Sequence, residues 1–104
     1  MKYSSSIKIT NSSDQTKMFC LEPWAEEFEM APEMTFEVII ESDYDGKFEI
    51  DFGENRITCY AWWSSVAQVL LDGENICASG QVLLPGPTGK MSLADSIKWL
   101  FGKD

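Results

Sequence analysis

Apolar and polar side chains alternate at every second position through most of this chain, a period that suits strands and not helices. Met34, Phe36, Val38 and Ile40 are interleaved with Thr35, Glu37, Ile39 and Glu41. Phe48, Ile50 and Phe52 alternate with Lys47, Glu49 and Asp51 in the same way. Ile57, Cys59, Ala61 and Trp63 share one face of a further strand, and Thr58, Tyr60 and Trp62 share the other. Ile7 and Ile9 alternate with Lys8 and Thr10, Met18 to Leu21 form a short apolar strand, and Phe28 and Met30 sit between glutamates. Val66 to Leu71 is nearly continuous apolar, the pattern of a strand covered on both sides. Strands at intervals of about ten residues, punctuated by Gly, Pro, Asn and Asp, predict an all-β antiparallel sandwich or barrel. A chain of 104 residues is the length of one such domain.

Turn chemistry predicts how these strands pair. A three-residue loop Tyr44-Asp45-Gly46, with Gly46 left-handed, sets Ile40 opposite Ile50. A two-residue loop Gly53-Glu54 sets Ile50 opposite Ile57, Phe48 opposite Cys59 and Asp51 across from Arg56. Gly73-Glu74 pairs Leu71 with Ile76 and Val69 with Ala78, which puts Cys77 opposite Leu70. The three turns together describe a meander over about 34–79. In its register Glu41 lies across from Glu49, and Glu37 shares their outward face. Residues 80–91 then read as a Gly/Pro loop. Ser92 with Asp95 resembles a capping box, and Leu93, Ile97, Leu100 and Phe101 line one face of a short amphipathic helix over about 93–101, which Gly102 ends. Such a helix is expected to cover an open end or face of the sandwich.

The composition excludes several kinds of chemistry. There is no histidine, which removes the commonest general base and metal ligand and every Ser-His or Cys-His dyad. Three cysteines at wide spacings, Cys20, Cys59 and Cys77, read as reduced core thiols of a cytoplasmic protein. Asp43-Tyr44-Asp45-Gly46 lacks the later ligands of a calcium loop, and Gly46 comes too early for one. The GPTG run at 86–89 lacks the spacing and the lysine of a phosphate-binding loop. A small sandwich without insertions offers no walls for a carboxylate-lined catalytic cleft. The expectation is a protein that is not an enzyme and uses no cofactor and no metal.

A family resemblance enters with Leu21-Glu22-Pro23-Trp24-Ala25-Glu26-Glu27, then Ala31-Pro32 before Phe36-Glu37-Val38, and later Ile57 to Trp63, Val69 and Asp72-Gly73. The chain resembles a group of small uncharacterised bacterial all-β proteins of cupin-like strand arrangement. Their pattern has a Glu-Pro-Trp segment and a tryptophan-bearing strand before an Asp-Gly turn. The resemblance spans roughly residues 18–77 and implies a cupin-like fold without the metal site and with no established activity. The chain departs from that pattern at three places where glycine is expected: Ala25 after Trp24, Glu33 after Pro32, and Ser64-Ser65 after Trp63.

Charge supplies the remaining signal. Seventeen acidic against eight basic residues give a net −9, which argues against direct contact with nucleic acid or an anionic membrane. No apolar run approaches the ~20 residues of a membrane span, and MKYSSSIKIT has no hydrophobic signal segment. Twelve of the acids and one base, Lys47, lie between Glu22 and Glu54, so this stretch carries −11 and the rest of the chain +2. Such a stretch serves either as a solvated face or as a surface for a basic protein partner. The leading reading is a non-enzymatic acidic protein-binding module of a bacterial cell, of immunity or antitoxin type or a nucleic-acid mimic. Its candidate contact residues are Glu37, Glu41, Glu49, Asp43, Asp45, Tyr60 and Trp62. The alternative is a small-ligand or carbohydrate-binding sandwich that stacks its ligand on exposed Trp62, Tyr60 and Trp24. In that pattern Trp63 belongs to the core, Trp62 lies either exposed or beneath the helix, and Trp24 plugs one end. The oligomeric state stays open.

Overall fold

The computed structural model describes residues 2–62 and 64–77. Eight strands run in chain order: β1 (Tyr3–Thr10), β2 (Lys17–Glu22), β3 (Glu26–Met30), β4 (Thr35–Ser42), β5 (Glu49–Phe52), β6 (Arg56–Tyr60), β7 (Ser65–Leu71) and β8 (Glu74–Asn75). They form two four-stranded sheets, sheet one in the order β1-β4-β7-β8 and sheet two in the order β3-β2-β6-β5. The expected all-β architecture is present, and β1 to β7 fall where apolar patterning placed strands, whereas β8 begins at Glu74, inside the expected Gly73-Glu74 turn. The Gly/Pro loop over 80–91, the helix over about 93–101 and the core position of Trp63 lie outside the described residues.

The inward positions of both sheets meet in one core. Sheet one contributes Ile9, Phe36, Val38, Ile40, Ala67 and Val69; sheet two contributes Phe19, Leu21, Met30, Ile57 and Cys59. At its centre Phe36 stands edge-on to Phe19, with ring centroids 5.3 Å apart, and to Phe28, at 6.0 Å. These edge-to-face contacts match the positive rim of one ring to the negative face of the next.

The connectivity differs from the expected meander. β4 pairs with β1 and β7, and β5 pairs with β6 in the other sheet. Residues 43–48 therefore carry the chain from one sheet to the other and form no hairpin. Glu41 lies between Ser4 and Val66, and Glu49 lies opposite Tyr60, so the Glu41–Glu49 repulsion does not exist. The β5–β6 hairpin is real but shifted by two residues. Ile50 faces Cys59 and Asp51 faces Thr58, and the Gly53 N–H bonds the Arg56 carbonyl at 2.7 Å. This makes Glu54-Asn55 the loop in place of Gly53-Glu54. The shift keeps every side chain on its expected face because two residues is one full strand period. β7 and β8 show the same displacement, pairing Leu71 with Glu74 and Leu70 with Asn75. The turn there is Asp72-Gly73, with φ of 53° and 83°, the doubly left-handed shape of a type I′ hairpin. β7 is not covered on both sides either: Ala67 and Val69 are buried, but Gln68 between them is exposed. Nor is the sandwich wholly antiparallel, because β2 and β6 run parallel.

The three departures from glycine in the resemblance are three left-handed residues. Ala25, Glu33 and Ser64 have φ of 58°, 67° and 61°. The turns thus keep a shape that glycine adopts without strain, and an L-residue there costs about 1–2 kcal/mol. Ala25 and Glu33 are both exposed, so Ala25→Gly and Glu33→Gly are each expected to raise stability by about 1 kcal/mol. That corresponds to roughly 4–8 °C in melting temperature. A thermal melt in which both variants fall below the wild type would show that the turns depend on these side chains.

Candidate functional site

The outward positions of sheet two fall into cross-strand rows. Neighbouring strands lie about 4.8 Å apart, so each row is a line of adjacent side chains. One row runs Glu27–Cys20–Thr58–Asp51, the next Glu22–Tyr60–Glu49, and a third Glu29–Met18–Arg56. Five carboxylates thus surround Cys20, Thr58 and Tyr60. Cys20 and Thr58 are themselves buried, at 3% and 8% exposure, although they point away from the core. Arg56 is the one cation in these rows. Its guanidinium donates to Glu27 Oε2 at 2.9 Å, and both side chains are about half exposed, so solvent screens the pair and it contributes little. The adjoining carboxylate pushes the Arg56 pKa up further still.

The electrostatics of the face follow from this crowding. Burial raises the Tyr60 phenol pKa, and the charges of Asp51, Glu22 and Glu49 push in the same direction, because a second anion among carboxylates is unfavourable. Tyr60 therefore stays a neutral O–H group. Burial, with help from Glu22, raises the Cys20 thiol to about 11, and Cys20 Sγ donates a weak hydrogen bond to Glu22 Oε2 at 3.4 Å. One carboxylate oxygen of Glu49, Oε1, is buried and accepts no hydrogen bond.

The seven candidate residues do not come together. Glu49 and Tyr60 are neighbours on the outer face of sheet two. Glu37 and Glu41 lie on the outer face of sheet one, on the far side of the sandwich, Glu37 between Lys8 and Leu70. Asp43 and Asp45 are exposed in the crossing segment, where Asp43 Oδ1 accepts the Lys2 backbone N–H at 3.4 Å. Trp62 is neither a platform nor an outward residue. The strand ends at Tyr60, the chain turns, and the indole enters the core at 8% exposure. There it donates to the Tyr44 carbonyl at 3.1 Å and meets Phe48 edge-on. Trp24 is half-buried and packs against the core. The residues missed on the sheet-two face are Glu22, Glu27, Glu29 and Asp51. Strand parity marks them as outward, but only the parallel β2–β6 pairing sets them around Tyr60.

Cys59 and Cys77 lie in the core, as small core residues do, whereas Cys20 is buried on the outer side of sheet two. None forms a disulfide, and Cys59 is fully buried opposite Ile50, not opposite Phe48 as expected. Cys77 is buried beside Glu26 Oε1, 3.4 Å away, and Asn75 Oδ1 accepts its backbone N–H at 3.0 Å. Burial pushes the Cys59 thiol up to about 12, so little thiolate exists near pH 8 and alkylation there is expected to be slow. A folded-state pKa above the unfolded value contributes stability that is complete below pH ~9 and lost as pH rises toward 12. Cys59 is thus expected to react only as the fold is lost in alkali or denaturant. Rapid labelling of Cys59 in the native protein at pH 8 would overturn this.

No cluster of Cys, Asp and Glu among the described residues could hold a metal ion. No helix among them is long and apolar enough to cross a membrane. No protein-family model, curated protein or solved structure matches the chain.

Proposed function

We propose that the protein is a non-enzymatic binding module that presents the outer face of sheet two to a basic protein. The observation that carries this reading is the set of five carboxylates on one sheet face with Arg56 as their only cation among the described residues. Carboxylates gathered on one face repel one another, and threonine would suit these strands better, so the fold gains little from them. Their gain lies in steering a basic partner to the face and orienting it there. A cytoplasmic inhibitor of immunity or antitoxin type, or a nucleic-acid mimic, would use such a face, and a cupin-like kinship and a C-terminal helix belong to the same proposal. The burial of Trp62 weighs against carbohydrate stacking.

The test compares the two outer faces. A panel of small basic nucleases, of known sequence, serves as probe in kinetic binding at two salt concentrations. The variant Glu22→Gln/Asp51→Asn is expected to slow association about threefold to tenfold at low salt, while Glu37→Gln/Glu41→Gln leaves it near the wild-type rate. Equal losses from both variants would reduce the charge to a general solubilising role, and so would absence of binding across the panel.

A further inference from the structure

We propose that the edge of β1 that has no strand neighbour among the described residues pairs antiparallel with β1 of a second copy of this chain, joining the two copies of sheet one into a continuous eight-stranded sheet. This goes beyond the acidic face, which lies on sheet two and stays open in such a dimer.

Exposed sheet edges template further pairing unless something blocks them, and three of the four edges here are blocked. β3 carries Glu26, Glu27 and Glu29 among five residues, β5 carries Glu49 and Asp51 among four, and β8 is only two residues long. β1 is eight residues long and has Lys8 as its single charge. Among the described residues its only strand neighbour is β4.

The register of the pairing follows from the backbone. The Asn11 N–H turns toward the β4 side, to the Met34 carbonyl at 3.0 Å, in continuation of the β1–β4 register. Alternation then turns the N–H and C=O of Ser4, Ser6 and Lys8 outward to the free edge. A two-fold axis at Ser6 joins these groups in hydrogen-bonded pairs, Ser6 with Ser6 and Lys8 with Ser4 of the other copy. The second copy is the occupant because β1 is complementary to itself in this register. Ser4 is flanked on β4 by Glu41, two strand spacings or about 10 Å from the incoming Lys8. Extended lysine and glutamate side chains bridge that distance over the small serine. Each dimer therefore gains two Lys8–Glu41 pairs between copies. The same register sets Tyr3, 40% exposed and one of three large exposed apolar residues among those described, beside Ile9 of the other copy.

Sedimentation equilibrium over about three decades of concentration at physiological salt, where the Debye length is about 8 Å, reads the assembly directly. A species of twice the 11.7 kDa chain mass is expected. Lys8→Gln and Glu41→Gln should each weaken it about threefold, and the double variant no further than either single one, because both remove the same pair. Ser6→Pro removes only outward N–H groups, so the β1–β4 ladder keeps its bonds, and the dimer should weaken roughly 30-fold. The Lys8–Glu41 double-variant comparison carries the test if the proline variant melts early. A monomer at every concentration would overturn the proposal. So would a dimer indifferent to all three single variants, or Ser4, Ser6 and Lys8 amides protected from hydrogen exchange in the monomer.

Discussion

Replacing Gly46 by alanine is expected to remove a large part of the protein's stability. A Cβ at this position would lie 2.2 Å from Trp62 Cδ2, 2.3 Å from Cγ and 2.5 Å from Cε2, distances that carbon atoms do not share. Trp62 has little room to retreat. Its ring is buried at 8% exposure, its N–H is held by the Tyr44 carbonyl at 3.1 Å, and Phe48 abuts it edge-on with centroids 6.0 Å apart. Either the crossing segment lifts off the indole or the indole leaves its site, and overpacking of this kind costs about 1–3 kcal/mol. The melting temperature should fall by roughly 5–20 °C in a domain of this size, with a red shift in tryptophan emission. Asp45→Ala, one residue away and exposed, should stay within about 0.5 kcal/mol of wild type. A Gly46→Ala melt as high as that of Asp45→Ala would mean that the segment does not rest on Trp62.

Gly46 also marks where the sequence stops being legible. Its turn signal is genuine, but φ at Gly46 is not left-handed; the glycine is needed for its missing side chain and not for its backbone. Alternation tells in from out along β1, β3, β4 and β6, yet it is blind to which of two sheets a strand joins. A segment the length of 43–48 can fold back as a hairpin or cross the roughly 10 Å between packed sheets. Because it crosses, the acidic run from Glu22 to Glu54 is divided, with Glu37 and Glu41 on one outer face and Glu49 and Asp51 on the other. The same blindness hid the parallel pairing of β2 with β6, which sets Glu22 beside Tyr60. Hairpin registers were off by two residues for a smaller reason. Gly-Glu-Asn and the residue before it offer competing two-residue turns: after Phe52 the chain takes Glu54-Asn55, while after Leu71 it takes Asp72-Gly73. Residues 25, 33 and 64, where the resemblance expects glycine, all have a left-handed φ.

The second large effect is expected at Asn11, which looks like an ordinary loop residue in the run Thr10-Asn11-Ser12-Ser13. It is 1% exposed and fully hydrogen-bonded. Its Nδ2 donates to the carbonyls of Gln15 and Met30, both at 2.8 Å, and its Oδ1 accepts from the Ser13 N–H at 3.1 Å and the Ser13 hydroxyl at 2.7 Å. Its backbone C=O also accepts the Glu33 N–H at 2.8 Å. One side chain thus ties the β1–β2 loop to the end of β3. Asn11→Ala leaves the buried Met30 carbonyl without its donor and loosens the loop, at a cost of about 2–4 kcal/mol in urea unfolding. Ser13→Ala, which removes only the partly exposed part of the network, should cost less than half as much. Asn11→Asp keeps the shape but turns a donor pair into acceptors facing two carbonyl oxygens. The folded state then disfavours the carboxylate and raises its pKa above the unfolded value. Stability relative to wild type is therefore best at low pH, where the protonated acid still donates one bond, and falls as pH rises through the carboxylate range toward neutrality. An Asn11→Asp variant whose deficit is the same at pH 4 and pH 7 would mean that the two carbonyls turn away, and that Asn11 fills space without bridging the strands.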